Sequence, residues 1–281
     1  MNKQRRHFLE LAGVGSAALW QTKIAVAAAD TGAAPSVREL LAAGLDPFST
    51  YGRMFASTSE GAECAWWLMG ALPLQVDDIG AVDFVQEETI RIHRVEVPGP
   101  GQLNILWRDV GVFRDITSGA IPTEWYNPIK GAVQPQSAQL KGGPSRHLIR
   151  KQGEGLEVAM QVKNTTASRI TVDGRVLGDR VCLTHIEEKS RTGNAAAAPS
   201  VIRTVFKIYT SLADLKGPDT SVSASGFYGV RNLATGNVFV NGLMRKAKLD
   251  EQVNPLAWER AKARFPEFFA GDRLAPSWQD G

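Results

Sequence analysis

Leu156-Glu157-Val158-Ala159-Met160-Gln161-Val162 alternates an apolar side chain with a polar or small one at every step. A period of two places Leu156, Val158, Met160 and Val162 on one face of an extended chain, the pattern of a strand with one dry side. The same period runs through Leu103, Ile105 and Trp107, and again through Ile202, Thr204, Phe206 and Ile208. Many short strands of this kind predict a mainly β protein. Its antiparallel sheet closes into a barrel, a lipocalin-like one being an option, or packs as a two-layer sandwich with flanking short helices.

Turn chemistry fills in the connections. Asp173-Gly174 between Ile170-Thr171-Val172 and Val176 predicts a tight hairpin, and Thr235-Gly236-Asn237 ahead of Val238-Phe239-Val240 predicts a second. Ile90 and Ile92 lie in one phase and Val95 and Val97 in the other, which predicts a β-bulge near His93 or Arg94. Ser36-Val37-Arg38-Glu39 reads as a capping box, and Gly44 as the stop of a short helix. Asn254-Pro255 opens a second helix that carries Trp258, Ala261 and Phe265 on one face before Pro266. Residues 131–155 and 190–200 read as loops from their Gln, Gly, Pro, Ser and Ala content.

Arg5-Arg6 two residues ahead of Phe8-Leu9 is the reading element of a twin-arginine translocase, which exports bodies already folded. The apolar run from Leu11 to Trp20 is ten residues, against the roughly 20 needed to span a bilayer, so no membrane anchor is expected. Ala25-Val26-Ala27-Ala28-Ala29 offers small side chains for cleavage, giving a leader of 1–29 and one β-rich domain of 30–281 in the periplasm or outside the cell. Removing the leader leaves 28 basic and 28 acidic residues. A near-neutral body lacks the positive footprint that nucleic acid requires. Cys64 and Cys182 are the only cysteines, and folding in a reducing cytosol favours two buried thiols over a disulfide.

No Gly-x-Ser-x-Gly elbow, His-Glu-x-x-His helix, phosphate loop or Cys-x-x-Cys pair occurs. Outside the leader the histidines are His93, His147 and His185, too scattered in sequence for a local metal motif, so neither a metal nor a nucleotide cofactor is expected. The densest mixture of charge and aromatic surface lies at Trp107-Arg108-Asp109, Arg114-Asp115 and Glu124-Trp125-Tyr126-Asn127-Pro128. Such groups suit a pocket in which rings hold an apolar ligand and an acid or phenol moves a proton. They equally suit arginine–aspartate pairs across neighbouring strands, with the tryptophans in the core. Trp66-Trp67 poses the same choice, since neighbours on a strand face opposite ways.

Asp46-Pro47, Arg53, Trp66-Trp67 with Gly70, Arg114-Asp115 with Ser118-Gly119, and Trp125-Tyr126-Asn127-Pro128 with Gly131 together resemble the domain-of-unknown-function family numbered 1838. The chain departs from that pattern at Ser118, Lys130 and Phe227-Tyr228-Gly229. The resemblance implies a β-rich fold and export, and no reaction. The residues themselves point to an exported binder of a small apolar or aromatic molecule. The expected chemistry is proton transfer by a nucleotide-independent lyase, hydratase or isomerase. Asp115, Tyr126 and His93 are the candidate catalytic groups, with Trp67, Trp107, Arg114, Trp125 and Asn127 as the ligand wall. The competing readings are a non-catalytic ligand carrier and a structural subunit of a cell-envelope complex.

Overall fold

A computed structural model describes residues 37–76, 80–115, 118–121, 123–127, 132–135, 140–162, 167–191, 200–216, 223–233, 236–248 and 254–270. Arg5, Arg6, the cleavage region and Ser36 lie outside the described residues. The fold is mostly β. The strands are β1 (Glu63–Val76), β2 (Gly80–Gly99), β3 (Gln102–Asp115), β4 (Glu124–Asn127), β5 (Ala132–Pro135), β6 (Leu140–Gln152), β7 (Gly155–Val162), β8 (Ala167–Leu177), β9 (Arg180–Arg191), β10 (Ser200–Ser211), β11 (Ser223–Leu233) and β12 (Gly236–Lys248). The helices are α1 (Arg38–Ala42), α2 (Pro47–Phe55), α3 (Leu212–Lys216), α4 (Pro255–Arg264) and α5 (Pro266–Phe269).

Ten strands form one antiparallel sheet in the order β7-β6-β3-β2-β1-β12-β11-β10-β9-β8, while β4 and β5 pair as a separate hairpin. Strands β7 and β8 follow one another in the chain yet stand at opposite edges of the sheet. They come within contact range of each other without pairing, so the sheet curls into a nearly closed barrel with one unzipped seam. Of the two expected architectures, the barrel forms.

The concave face gathers Trp66, Val95, Ile105, Ile149, Val158, Val172, Leu183 and Phe206 from strands all round the barrel, with Leu40 of α1 and Tyr51, Met54 and Phe55 of α2 packed among them. Helix α2 starts as its sequence dictates. The Asp46 carboxylate accepts from the Ser49 backbone N–H at 3.0 Å, and Pro47 occupies the first turn. This is the same signature as Asn254-Pro255, whose side chain accepts from the Ala257 N–H and opens α4. The outer face carries Ile90, Ile92, Val110, Val112 and Ala247, covered by Trp258, Phe265 and Phe268 of the C-terminal helices.

That double coverage corrects the expected bulge. Cys64 and Glu63 pair in unbroken register with His93 and Arg94, which in turn pair with Trp107 and Leu106. Ile90 and Ile92 point outward and Val95 inward because both faces of β2 are buried. The irregularities fall instead at Pro73/Leu74 and Glu96/Gly99.

The Asp173-Gly174 hairpin is likewise corrected. Strand β8 runs straight through both residues and turns at Gly178, whose φ is 64°. Gly174 is there for space: a Cβ on it would lie 2.4 Å from Leu40 Cδ1, where α1 packs on the strand. The second expected hairpin stands, with Leu233 pairing Gly236. Of residues 131–155, the described ones supply β5, β6 and the start of β7. Gly142, Gly143, Pro144 and Ser145, part of the composition that suggested a loop, belong to strand β6. Of the 190–200 stretch, residues 192–199 lie outside the described residues.

The C-terminal end of α2 is held by side chains from the wall. Phe55 O accepts from Trp66 Nε1 at 2.9 Å and from His93 Nδ1 at 3.2 Å. Lys246 Nζ donates to Arg53 O and, at 3.1 Å, to Ala56 O. These bonds satisfy carbonyls that a helix end leaves open. Burial draws the Lys246 ammonium down to about 8, opposed by nearby Cys64, and burial pushes the Cys64 thiol up to about 11, opposed by Lys246. Above pH 8 the unfolded chain keeps the lysine proton that the fold releases, so stability rises with pH there. From about pH 9 the buried thiol holds a proton that the unfolded chain loses, and the trend is opposed. Denaturation measured at pH 7, 8 and 9 should show a rise of about 1 kcal/mol between the last two points. Lys246→Met should abolish it, and a rise surviving in that variant would place its source elsewhere.

Candidate active site

Three strands and one helix converge at the barrel's centre. Period two on β9 sends His185 and Glu187 inward together, β6 contributes His147, β2 contributes His93, and α2 lowers Tyr51 and Phe55 between them. The Phe55 ring lies 5.2 Å from His93, 4.9 Å from His147 and 5.4 Å from His185, centroid to centroid. All three imidazoles are at most 1% exposed, and Glu187 is 4% exposed.

The hydrogen bonds have a direction. His185 Nε2 lies 3.0 Å from Glu187 Oε1, and a carboxylate accepts, so the imidazole proton sits on Nε2. Nδ1 of the same ring then accepts from the Tyr51 hydroxyl at 2.9 Å. Burial, reinforced by the charge of Glu187, raises the Tyr51 phenol well above its ordinary value, which keeps it a proton donor. His147 Nε2 stands 3.4 Å from the same Glu187 oxygen and 3.1 Å from Met160 Sδ.

His93 is oriented differently. Its Nδ1 donates to the Phe55 carbonyl, and its Nε2 is buried with no hydrogen-bond partner among the described residues. Burial above all, then the charge of Arg91, holds this imidazole well below its ordinary value, so the ring is neutral and Nε2 presents a bare lone pair. One row along the wall, Arg91 bridges to Asp109 at 3.0 Å and stacks its guanidinium 4.0 Å from the centre of the Trp107 ring. The expected cross-strand pairing of arginine with aspartate is present there, since Arg91 and Asp109 are register partners.

Of the residues singled out from sequence, His93 and Trp107 meet as register partners on the concave face. Asp115 shares that face by strand period but pairs with Val85, eight residues along β2 from His93. At about 3.4 Å per residue that is roughly 27 Å away. Its carboxylate accepts from the Ser118 backbone at 2.7 Å and from the Ser118 hydroxyl at 2.9 Å, organising the turn after β3. Trp67 turns to the outer face and packs with the C-terminal helices, while Trp66 faces inward. Arg114 is also on the outside, 3.4 Å from Glu88, which receives Arg260 of α4 at 2.6 Å. The cavity beside that pair measures about 20 Å³, enough for a water and too small for an organic ligand. Trp125, Tyr126 and Asn127 have their backbone in the β4–β5 hairpin, and their side chains lie outside the described residues.

Sequence reasoning missed Tyr51, His147, His185 and Glu187 as one group. Tyr51 was findable from the Asp46-Pro47 helix start. His147 was hidden in a segment whose composition resembles a loop, although Ser145, His147 and Ile149 keep the strand period. No local spacing joins β6 to β9. Compared with family models and with curated proteins, the chain matches none.

Proposed function

We propose that the protein is an exported enzyme that works inside the barrel on a small, largely apolar compound, by proton transfer and without a nucleotide. The observation that carries this reading is the directed chain from the Tyr51 hydroxyl through His185 to Glu187, in the same buried interior as the bare Nε2 of His93. Elimination, hydration and isomerisation each need one group that gives a proton and one that takes it. In this scheme Tyr51 turns its hydroxyl away from His185 Nδ1 to give a proton and His93 takes one, Glu187 fixes the His185 tautomer, and Phe55, Trp66 and Trp107 provide apolar walls. Helix α2 covers the interior at Leu103 and Trp66.

The test is a panel of small apolar and aromatic compounds bearing a carbonyl, hydroxyl or epoxide, with products read by mass. A turned-over compound should give an isomer or a product differing by one water. Tyr51→Phe should slow turnover by about 10²- to 10⁴-fold, the usual contribution of a positioned acid or base. Products differing by other atoms would end the proton-transfer reading. Binding without turnover would make the protein a carrier, and neither binding nor turnover would favour the complex subunit.

A further inference from the structure

We infer that His147, His185 and Glu187 hold one divalent first-row transition-metal ion of the zinc type. The inference rests on the barrel interior being the functional site and adds a cofactor to it. The ligand atoms of the three residues all lie within 4.8 Å of one another, and all three side chains are buried. Bonds of about 2.0–2.1 Å arranged tetrahedrally put neighbouring ligand atoms about 3.3 Å apart. Here Glu187 Oε1 stands 3.0 Å from His185 Nε2 and 3.4 Å from His147 Nε2, so both edges already fit an ion with little movement. Imidazole nitrogen and carboxylate oxygen are the donor set of borderline divalent ions.

The surroundings agree. A ligating imidazole usually has its second nitrogen tied to an outer partner, and Tyr51 occupies that place on His185. With an ion on Nε2, the His185 proton moves to Nδ1 and is donated to the Tyr51 oxygen, which frees the Tyr51 O–H for a substrate. Three protein ligands leave a fourth position open, as in catalytic rather than structural zinc sites.

The topology gives the ion a second effect. His147 is on β6, beside edge strand β7, and His185 and Glu187 are on β9, beside edge strand β8. Among the described residues, the sheet is left unzipped at the seam between β7 and β8. An ion shared by β6 and β9 therefore bridges that seam and should raise the melting temperature.

The full chain should be purified from cells grown with zinc, manganese and iron and its metal measured. It should also be refolded from denaturant with zinc or with EDTA, since the buried site fills most readily during folding. One equivalent of a single metal and a higher melting temperature in zinc are expected. Glu187→Gln keeps the side-chain shape and should weaken zinc binding by at least about 100-fold, and Tyr51→Phe by about 10-fold, as outer partners do. The proposal is overturned if wild-type protein carries no metal from cells and melts identically in zinc and EDTA. It is equally overturned if Glu187→Gln and His147→Gln bind zinc as wild type does. Metal bound without any turnover would leave this site standing and remove the enzyme reading; turnover unchanged by full metal removal would do the reverse.

Discussion

Phe55→Ala should destabilise the protein by about 3–5 kcal/mol, the range for deleting a buried phenylalanine. Phe55 is 5% exposed and sits at the end of α2, where its ring meets three imidazoles and stacks on Tyr51 at 5.5 Å. The loss has two sources. Removing the ring forfeits its transfer free energy and opens a void that surrounding strands, fixed by their own ladders, cannot close. It also removes aromatic contacts worth about 0.5–1.5 kcal/mol each beyond their area. Phe55→Leu keeps most of the volume and should cost about 1 kcal/mol. Leu243→Ala, at a site 64% exposed, should change little. Urea denaturation of the four proteins decides the matter, and a Phe55→Ala loss below 1 kcal/mol would mean that the ring does not fill the space between the histidines.

The strand face that decided the fold was legible because burial on one side leaves a period of two. Leu156, Val158 and Met160 do face the core as that period requires. The reading failed where burial was two-sided or where packing overrode turn chemistry. On β2 both faces are covered, so a change of phase signified a second apolar layer rather than a bulge. At Gly174 the glycine makes room for Leu40, and the Asp-Gly pair carries no turn. The candidate site was half legible. His93 and Trp107 stood out as residue types and do meet on β2 and β3. Asp115 stood out equally and lies far along the same wall, because sequence proximity within a strand is distance, not contact. The Tyr51–His185–Glu187–His147 group depends on curling the sheet until β6 faces β9. Only long-range pairing specifies that closure, and no local pattern encodes it.

Replacing Arg5 and Arg6 together by lysine should leave the protein in the cytoplasm at full length, where the wild type should lose about 26–30 residues and leave the cell interior. Twin-arginine translocases read such a pair, and lysine lacks the planar guanidinium that distinguishes arginine from a simple positive charge. Fractionation with detection of both forms measures the result, and normal trimming and export of the variant would remove the leader assignment. The proposed site gives this route a physical motive. Its ligands are at most 4% exposed inside a barrel plugged by α2, so an ion has to enter before or during folding. A threaded, unfolded chain would take whatever metal its destination offers first, ranked largely by intrinsic affinity. A body folded before export carries the ion chosen in the cytoplasm. The stranded lysine variant should therefore contain the same metal, in the same one-to-one amount, as the exported wild type. Metal in the exported form alone would mean that the site fills after transport, and would separate the leader's role from the site's.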